Sequence, residues 1–347
     1  VGRVVPDLGL RRIGVRRLIA HFDHLLIPLA MAATAYLFPG QGAQYVGMGQ
    51  SLYDTYDEAA ARIDAANEVL DFDLRALMFG TADVDDPKAA LTATEVTQPA
   101  LYTHSLAAMA VLNAHGAAPS MVAGHSLGEY SALAAAGALS FEDGLRLVRR
   151  RGELMAEAGK QRPGTMAAVL GADDEDVEAA CTAATEAGEG VVQPANFNAP
   201  GQIVISGDVE AVERATERLD ARTIPLSVSG AFHSPLMDYA REGLAEALEA
   251  VTINTPQCPV YLNVTAKPTA DPDEIRQRLL DQLQSPVRWA QLLRAMDADG
   301  ATRFVEIGAG SVLQGLVKRT LGRDAARNGV DTAEDCAAFI DEIAASA

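Results

Sequence analysis

Positive charge is scarce in this chain. Lys and Arg number 28 against 47 Asp and Glu, for a formal net charge of -19. A surface of that sign repels nucleic-acid phosphates and anionic membranes, which excludes both as general partners. It also repels anionic small molecules at long range, so an anionic substrate needs a local cation in its pocket. Cysteine is equally sparse. Cys181, Cys258 and Cys336 are far apart and form no CxxC pair. That excludes a disulfide framework and a zinc site of ordinary spacing, and it fits a reducing cytoplasm. Aromatics are only 5% of residues and alanine is abundant, a composition for helices rather than an all-β sandwich. No apolar run reaches the roughly 18 residues of a membrane span, so no stable membrane association is expected.

What is present is ample apolar material, 49% of 347 residues, enough for one large α/β unit or two smaller ones. The exception is the N-terminal thirty residues, with Arg3, Arg11, Arg12, Arg16 and Arg17 followed by His21 and His24. Residues 1–34 read either as a basic targeting or membrane-surface arm, or as upstream sequence with Met31 as the natural start. The second reading is preferred, because a regular pattern begins abruptly at Ala35.

From there, Ala35-Tyr36-Leu37-Phe38 reads as a buried strand ended by Pro39-Gly40-Gln41-Gly42. A helix is expected over 51–70 and another over 99–112, with Pro99 in its first turn. Met121-Val122-Ala123 is a short strand, with helices after it over 129–136 and 141–155. The pattern then changes. Strand segments at 166–170, 191–192, 203–205 and 223–228 alternate with helices at 174–187 and 209–219, and 196–201 reads as a connection. The order β-α-β-β-α-β is that of a small ferredoxin-like unit. Residues 260–264 and 303–307 return to buried strands. The expected fold is therefore α/β: a large α/β-hydrolase-like subdomain, 35–160 and 229–321, interrupted by a ferredoxin-like subdomain, 161–228. Residues 322–347 are expected as a C-terminal helix or tail, and a cleft between the subdomains is expected to hold the site.

Gly124-His125-Ser126-Leu127-Gly128 is a G-x-S-x-G pattern between an apolar strand and an alanine-rich helix. That is the context of a nucleophile elbow, in which a sharp turn lifts a serine oxygen above the sheet and glycines leave it room. The Leu127 amide, at the start of the next helix, is directed at a developing oxyanion. Serine needs a base. His233, where the small unit returns to the large one, is the best candidate. His125 packs beneath the elbow, and His104 and His115 read as structural or surface histidines. No acid partner stands out among Glu129, Asp238 and Glu306, and a dyad oriented by a backbone carbonyl is physically sufficient.

These residues resemble the malonyl-CoA:acyl carrier protein transacylases and the related acyltransferase domains of polyketide synthases. The likeness runs from Ala35 to about Leu321. It rests on Phe38-Pro39-Gly40-Gln41-Gly42-Ala43-Gln44, Thr97-Gln98-Pro99-Ala100, Gly124-His125-Ser126-Leu127-Gly128-Glu129, Arg151-Gly152, Asn196-Phe197-Asn198, Ala231-Phe232-His233 and Glu306-Ile307-Gly308. The resemblance implies that Ser126 is the acylated nucleophile and His233 its base. It implies an oxyanion hole from the amides of Gln41 and Leu127, and a histidine oriented by the carbonyl of Gln282. Arg151 falls at the position that clamps a malonyl carboxylate, although Arg149-Arg150-Arg151 read alone is a charged surface run. Phe232, Asn196 and Asn198 fall in segments lining the specificity pocket, and Phe232 and Leu127 fit malonyl rather than methylmalonyl members. The implied reaction moves malonyl from malonyl-CoA to the phosphopantetheine thiol of a holo acyl carrier protein, with no permanently bound cofactor and no metal. Arg149 with Arg150, or Lys318 with Arg319, are candidates for docking the acidic carrier. The rivals are a serine hydrolase and a non-catalytic carrier-binding protein.

Overall fold

A computed structural model describes residues 1–2 and 33–346. The expectations for the basic arm and Met31 lie outside the described residues. Ten strands are described: β1 (Ala33–Phe38), β2 (Met121–Gly124), β3 (Thr165–Leu170), β4 (Val192–Ala199), β5 (Gln202–Gly207), β6 (Arg222–Pro225), β7 (Val260–Tyr261), β8 (Pro268–Thr269), β9 (Ala301–Ile307) and β10 (Ala326–Val330). They form a six-stranded sheet, β10-β9-β1-β2-β7-β8, and a four-stranded sheet, β4-β5-β3-β6. The larger is parallel except for β8. The smaller is antiparallel throughout. Both lie in one compact unit, Ala33–Ala347.

β1 shows why its sequence makes a central parallel strand. Successive side chains point to opposite faces. Tyr36 and Phe38 enter a core with Leu101, Tyr102 and Leu133, whereas Ala35 and Leu37 enter another with Trp289, Leu292 and Phe304. Both faces are covered, so an uninterrupted apolar run is required. The smaller sheet packs Val169, Phe197, Ile203 and Ile205 against Val177, Cys181 and Val212 of its own helices. Main-chain bonds join it to the rest: Phe197 N–H donates to Val287 O at 2.9 Å and Val287 N–H to Ala195 O at 2.8 Å. β1 and β2 run side by side with Phe38 opposite Gly124. The loops leaving their carboxyl ends, where α/β sheets place ligands, therefore start next to each other.

Several elements differ from expectation; the helix expected over 51–70, for one, breaks at Tyr56 into Gln50–Thr55 and Asp57–Val69. The helix expected from Pro99 begins five residues earlier and spans Thr94–Ala114. Proline there removes a donor to the carbonyl four residues back, and Arg149 Nη1 supplies it, donating to Glu95 O at 2.9 Å. Asn196, Phe197 and Asn198, expected in a connection, lie inside β4. The turn is only Pro200-Gly201, with Gly201 at φ 67°. The strand expected over 260–264 stops at Tyr261, and the chain then turns, with Ala266 N–H on Leu262 O at 2.8 Å. Residues 322–347 hold the helix allowed for there, but they are not a surface appendage. They add β10 to the sheet edge and the helix Ala333–Ser346, and Val330, Cys336 and Phe339 are buried. An alanine, an asparagine and a glycine in Ala-Arg-Asn-Gly-Val hide an edge strand from propensity.

Candidate active site

The site is built where β2 ends. Between Gly124 and the helix Gly128–Ala135 the backbone reverses, with Ser126 at φ 51°. A non-glycine residue in that region costs about 1–2 kcal/mol. The flanking glycines are required by close approach. A Cβ on Gly124 would meet the Gly128 carbonyl at 1.8 Å, and one on Gly128 would meet Phe38 O at 2.0 Å.

His233, also at positive φ (56°), brings Nε2 to 2.8 Å from Ser126 Oγ. Its Nδ1 lies 2.8 Å from the main-chain oxygen of Gln282. A carbonyl only accepts, so Nδ1 carries the proton and Nε2 offers its lone pair to the serine hydroxyl. The imidazole is held neutral. Burial is the main cause, the Arg151 charge the second, and together they pull its pKa down to about 3 against the partial opposition of the Gln282 carbonyl. The carboxylates weighed as a third member are elsewhere. Glu129 accepts from Asn263 N–H at 2.7 Å. Glu306 caps Leu313 and Gln314, each at 3.0 Å. Asp238 accepts from Gln284 Nε2 at 3.3 Å.

Arg151 is not part of a surface run. It is 1% exposed, on the buried face of the helix Phe141–Gln161. That helix crosses Thr94–Ala114 closely enough that a Cβ on Gly152 would come within 2.8 Å of Glu95 Cα. Arg151 Nη1 donates to Gln98 Oε1 at 2.8 Å, and Nη2 donates to Gln282 Oε1 at 2.9 Å and Ser126 Oγ at 3.2 Å. Its guanidinium lies 5.6 Å from the Tyr130 ring centroid. Its hydrogen-bond partners, two amide oxygens and a hydroxyl, are all neutral, and the acid that acts on it electrostatically is Glu129, whose carboxyl burial pushes up to about 7. An anion beside Ser126 would balance the cation.

A cavity of about 360 Å³ opens over Ser126, His233 and Arg151, lined also by Gln41, Asn196, Phe232 and Met155. A second, of about 660 Å³, shares Gln41, Thr92, Ser227 and Val228 with it and extends past Lys88 and Lys160. Gln41 and Leu127 both line the first cavity. Among the described residues neither of their amides donates to a backbone carbonyl. Asn198 is set apart from that lining: its Oδ1 lies 2.8 Å from His125 Nε2. His125 packs edge-on against Trp289, with centroids 5.3 Å apart.

Three features escape the sequence reading. Gln98 lies in one of the segments that carry the resemblance, but its part as a partner of Arg151 had no signal. The Gln282 side chain touches both Arg151 and Ser126, its Nε2 donating to Ser126 O at 3.1 Å. Asn263 accepts the Ser126 N–H at 2.7 Å, and its sole signal is a polar residue within an apolar run. The carrier-docking candidates are partly engaged. Arg149 caps Glu95 and pairs with Glu153 at 2.8 Å, and Arg319 donates to Gln202 at 2.7 Å. Among the described residues no helix is long and apolar enough to cross a membrane, and no three His, Cys, Asp or Glu side chains are grouped to hold a metal ion.

The family model described as the acyl transferase domain matches residues 35–338. A malonyl CoA-acyl carrier protein transacylase of Bacillus subtilis (strain 168) is 46% identical over 293 residues, 83% of this chain and 90% of that one. The crystal structure of an acyl carrier protein S-malonyltransferase from Vibrio cholerae is 41% identical with a TM-score of 0.82, covering 88% of this chain and 99% of that one. A malonyl-transacylase solved in complex with its type II polyketide-synthase acyl-carrier protein is 38% identical with a TM-score of 0.83, covering 89% and 99%.

Proposed function

The chain belongs to the acyl transferase domain family, among its malonyl-CoA–acyl carrier protein transacylases, and we propose that Ser126 and His233 carry its reaction. The protein is an enzyme that transfers a malonyl group from coenzyme A to the phosphopantetheine thiol of an acyl carrier protein. The observation that carries the assignment of residues is the buried Arg151, neutrally partnered, within 3.2 Å of a serine that is itself 2.8 Å from a neutral histidine.

Malonyl-CoA enters with its carboxylate on Arg151, a planar fork suited to two parallel charge-assisted bonds. Acetyl has no such group and leaves the cation unpaired, which works against it. As Ser126 Oγ attacks the thioester carbon, His233 Nε2 takes its proton. The Gln41 and Leu127 amides hold the oxyanion, and the Gln282 carbonyl steadies the imidazolium through Nδ1. The C–S bond breaks, His233 gives its proton to the departing coenzyme A thiolate, and malonyl-Ser126 remains. The carrier's pantetheine thiol then loses its proton to His233 and attacks the ester. Its collapse returns that proton to Ser126 and releases malonyl carrier protein, a ping-pong sequence. The larger cavity past Lys88 and Lys160 gives the long arm a way in. Phe232 crowds an α-methyl group, Asn196 lines the same wall, and Asn198 acts on it through His125.

The architecture follows the same reading. Residues 35–160 and 229–321 form a hydrolase-like catalytic subdomain, and the β-α-β-β-α-β order of 161–228 supports a ferredoxin-like insertion with the cleft between them. A cytoplasmic setting and malonyl-CoA as the sole coenzyme carrier are part of the proposal.

The test is transfer itself. Purified protein, malonyl-CoA and holo acyl carrier protein should give malonyl carrier protein, with free malonate a minor product. Malonate as the main product with several holo carriers would move the protein to the hydrolases.

A further inference from the structure

We infer that Asn263, held by Glu129, is a positioning residue that keeps the Ser126 elbow in its reactive shape. Pairing of β2 with β7 ends at Ala123 opposite Tyr261. Beyond it the nucleophile segment rises away from the sheet, and the partner chain turns over residues 262–265. Two main-chain groups are thereby separated from backbone partners, the carbonyl of Gly124 and the N–H of Ser126. The Asn263 side chain meets both. Its Nδ2 donates to Gly124 O and its Oδ1 accepts from Ser126 N–H, each at 2.7 Å. A side-chain amide has the donor and acceptor of a peptide group, so it continues the ladder across the turn where the backbone cannot.

Asn263 is itself fixed at every polar group. Its N–H donates to Glu129 Oε2 at 2.7 Å, its carbonyl accepts from Arg288 N–H at 3.0 Å, and Gln282 Nε2 reaches its Oδ1 at 3.5 Å. It is fully buried, as is Glu129. Glu129 stands three residues after the nucleophile on the first turn of the elbow helix. The loop is thus closed: the helix that follows Ser126 holds the residue that holds Ser126. Ser126 and Ala266 are both at positive φ, 51° and 53°, so both strands leaving the ladder are bent, and Asn263 ties one bend to the other.

The inference rests on Ser126 being the acyl acceptor, and its test separates the two. Wild-type protein, Ser126→Ala, Asn263→Ala, Glu129→Ala and Glu129→Gln are compared for kcat and KM with malonyl-CoA. Ser126 reactivity toward the neutral reagent phenylmethanesulfonyl fluoride is measured alongside, normalised to folded protein. Asn263→Ala should lose about 100-fold in kcat and in sulfonylation, as for a nucleophile displaced by an ångström, with KM for malonyl-CoA within about threefold because Arg151 is untouched. Glu129→Ala should fall in the same direction. Glu129→Gln, which keeps an acceptor oxygen, should recover most of that loss. Hydrogen exchange on the wild-type protein supplies a readout that no variant's folding can obscure, and the Ser126 amide should be protected. Equal reactivity of Ser126 in wild type and Asn263→Ala, or free exchange of the Ser126 amide, overturns the inference. No labelling of wild-type Ser126 by either substrate or reagent overturns instead the assignment of the nucleophile.

Discussion

Replacing Arg151 by glutamine tests how the site distinguishes an acidic acyl group from a neutral one. In the resting site the guanidinium is spread over Gln98, Gln282 and Ser126, all within 3.2 Å. Tyr130 lies beside it, Met155 lines the same cavity, and the buried Glu129 acts on it electrostatically. A malonyl carboxylate gains two charge-assisted bonds there, each contributing about 1.5–3 kcal/mol. Arg151→Gln should therefore cost malonyl-CoA about 3–6 kcal/mol, or about 150- to 25,000-fold in kcat/KM. Acetyl-CoA leaves the cation unpaired in the wild type, so the same change should leave its kcat/KM unaltered or improved. The preference for malonyl over acetyl should collapse. The assay is initial transfer to holo acyl carrier protein with each donor, beside a melting curve for each protein. A variant that folds and keeps the wild-type preference would place selectivity in the pocket walls and not in Arg151.

Three further outcomes follow from the geometry. His233 works as a neutral base and its pKa is held to about 3, so kcat/KM for malonyl-CoA should stay level from pH 8 down to 5. In kcat, where the substrate carboxylate offsets the Arg151 charge, the acid limb should lie higher, and a kcat/KM limb near 6.5 would contradict this. Stability should carry two opposed pH slopes. His233, lowered from 6.5, lets the unfolded chain hold the extra proton between pH 6.5 and about 3, so its contribution is lost as pH falls through that window. Glu129, raised by burial from 4.5 to about 7, keeps a proton in the folded state that the unfolded chain has lost, so its contribution is lost as pH rises through that window. Glu129→Gln should therefore steepen the rise of stability with pH between 4.5 and 6.5, by up to about 1.4 kcal/mol per pH unit in urea denaturation, and an unchanged slope counts against it. Arg149→Ala should destabilise the protein by about 1–3 kcal/mol by orphaning the Glu95 carbonyl, with donor preference unaltered. A shift in donor preference would mean that Arg149 acts on the site directly.

The parts of the site legible in sequence are those that local geometry dictates. A strand, two glycines and a serine can be read because close approach to Gly128 and Phe38 O forbids side chains there. The alternation in β1 is legible for the same local reason. What the residue pattern alone does not mark is set by tertiary partners, although the resemblance points to Arg151 and Gln282. Arg151 lies in a run of three arginines, and only the crossing of two helices at Gly152 separates it from Arg149 and Arg150. The third partner of the Ser126–His233 pair is a main-chain oxygen, and every residue has one, so no side-chain pattern marks Gln282. Asn263 reads as an interruption in a strand until the strand is seen to stop two residues before it. Pro99 argues for a helix start because the donor that rescues Glu95 O comes from fifty-odd residues away. β10 is hidden because its residues have little strand preference, and a neighbouring strand supplies the pairing.

Whether a malonyl group is carried on Ser126 can be read by intact-protein mass spectrometry after brief exposure to malonyl-CoA without carrier. A single malonyl adduct should form on the wild-type protein, be absent from Ser126→Ala, and disappear when holo acyl carrier protein is added as malonyl carrier protein forms. An adduct that persists in Ser126→Ala, or transfer that proceeds in that variant at the wild-type rate, would contradict a malonyl-Ser126 intermediate.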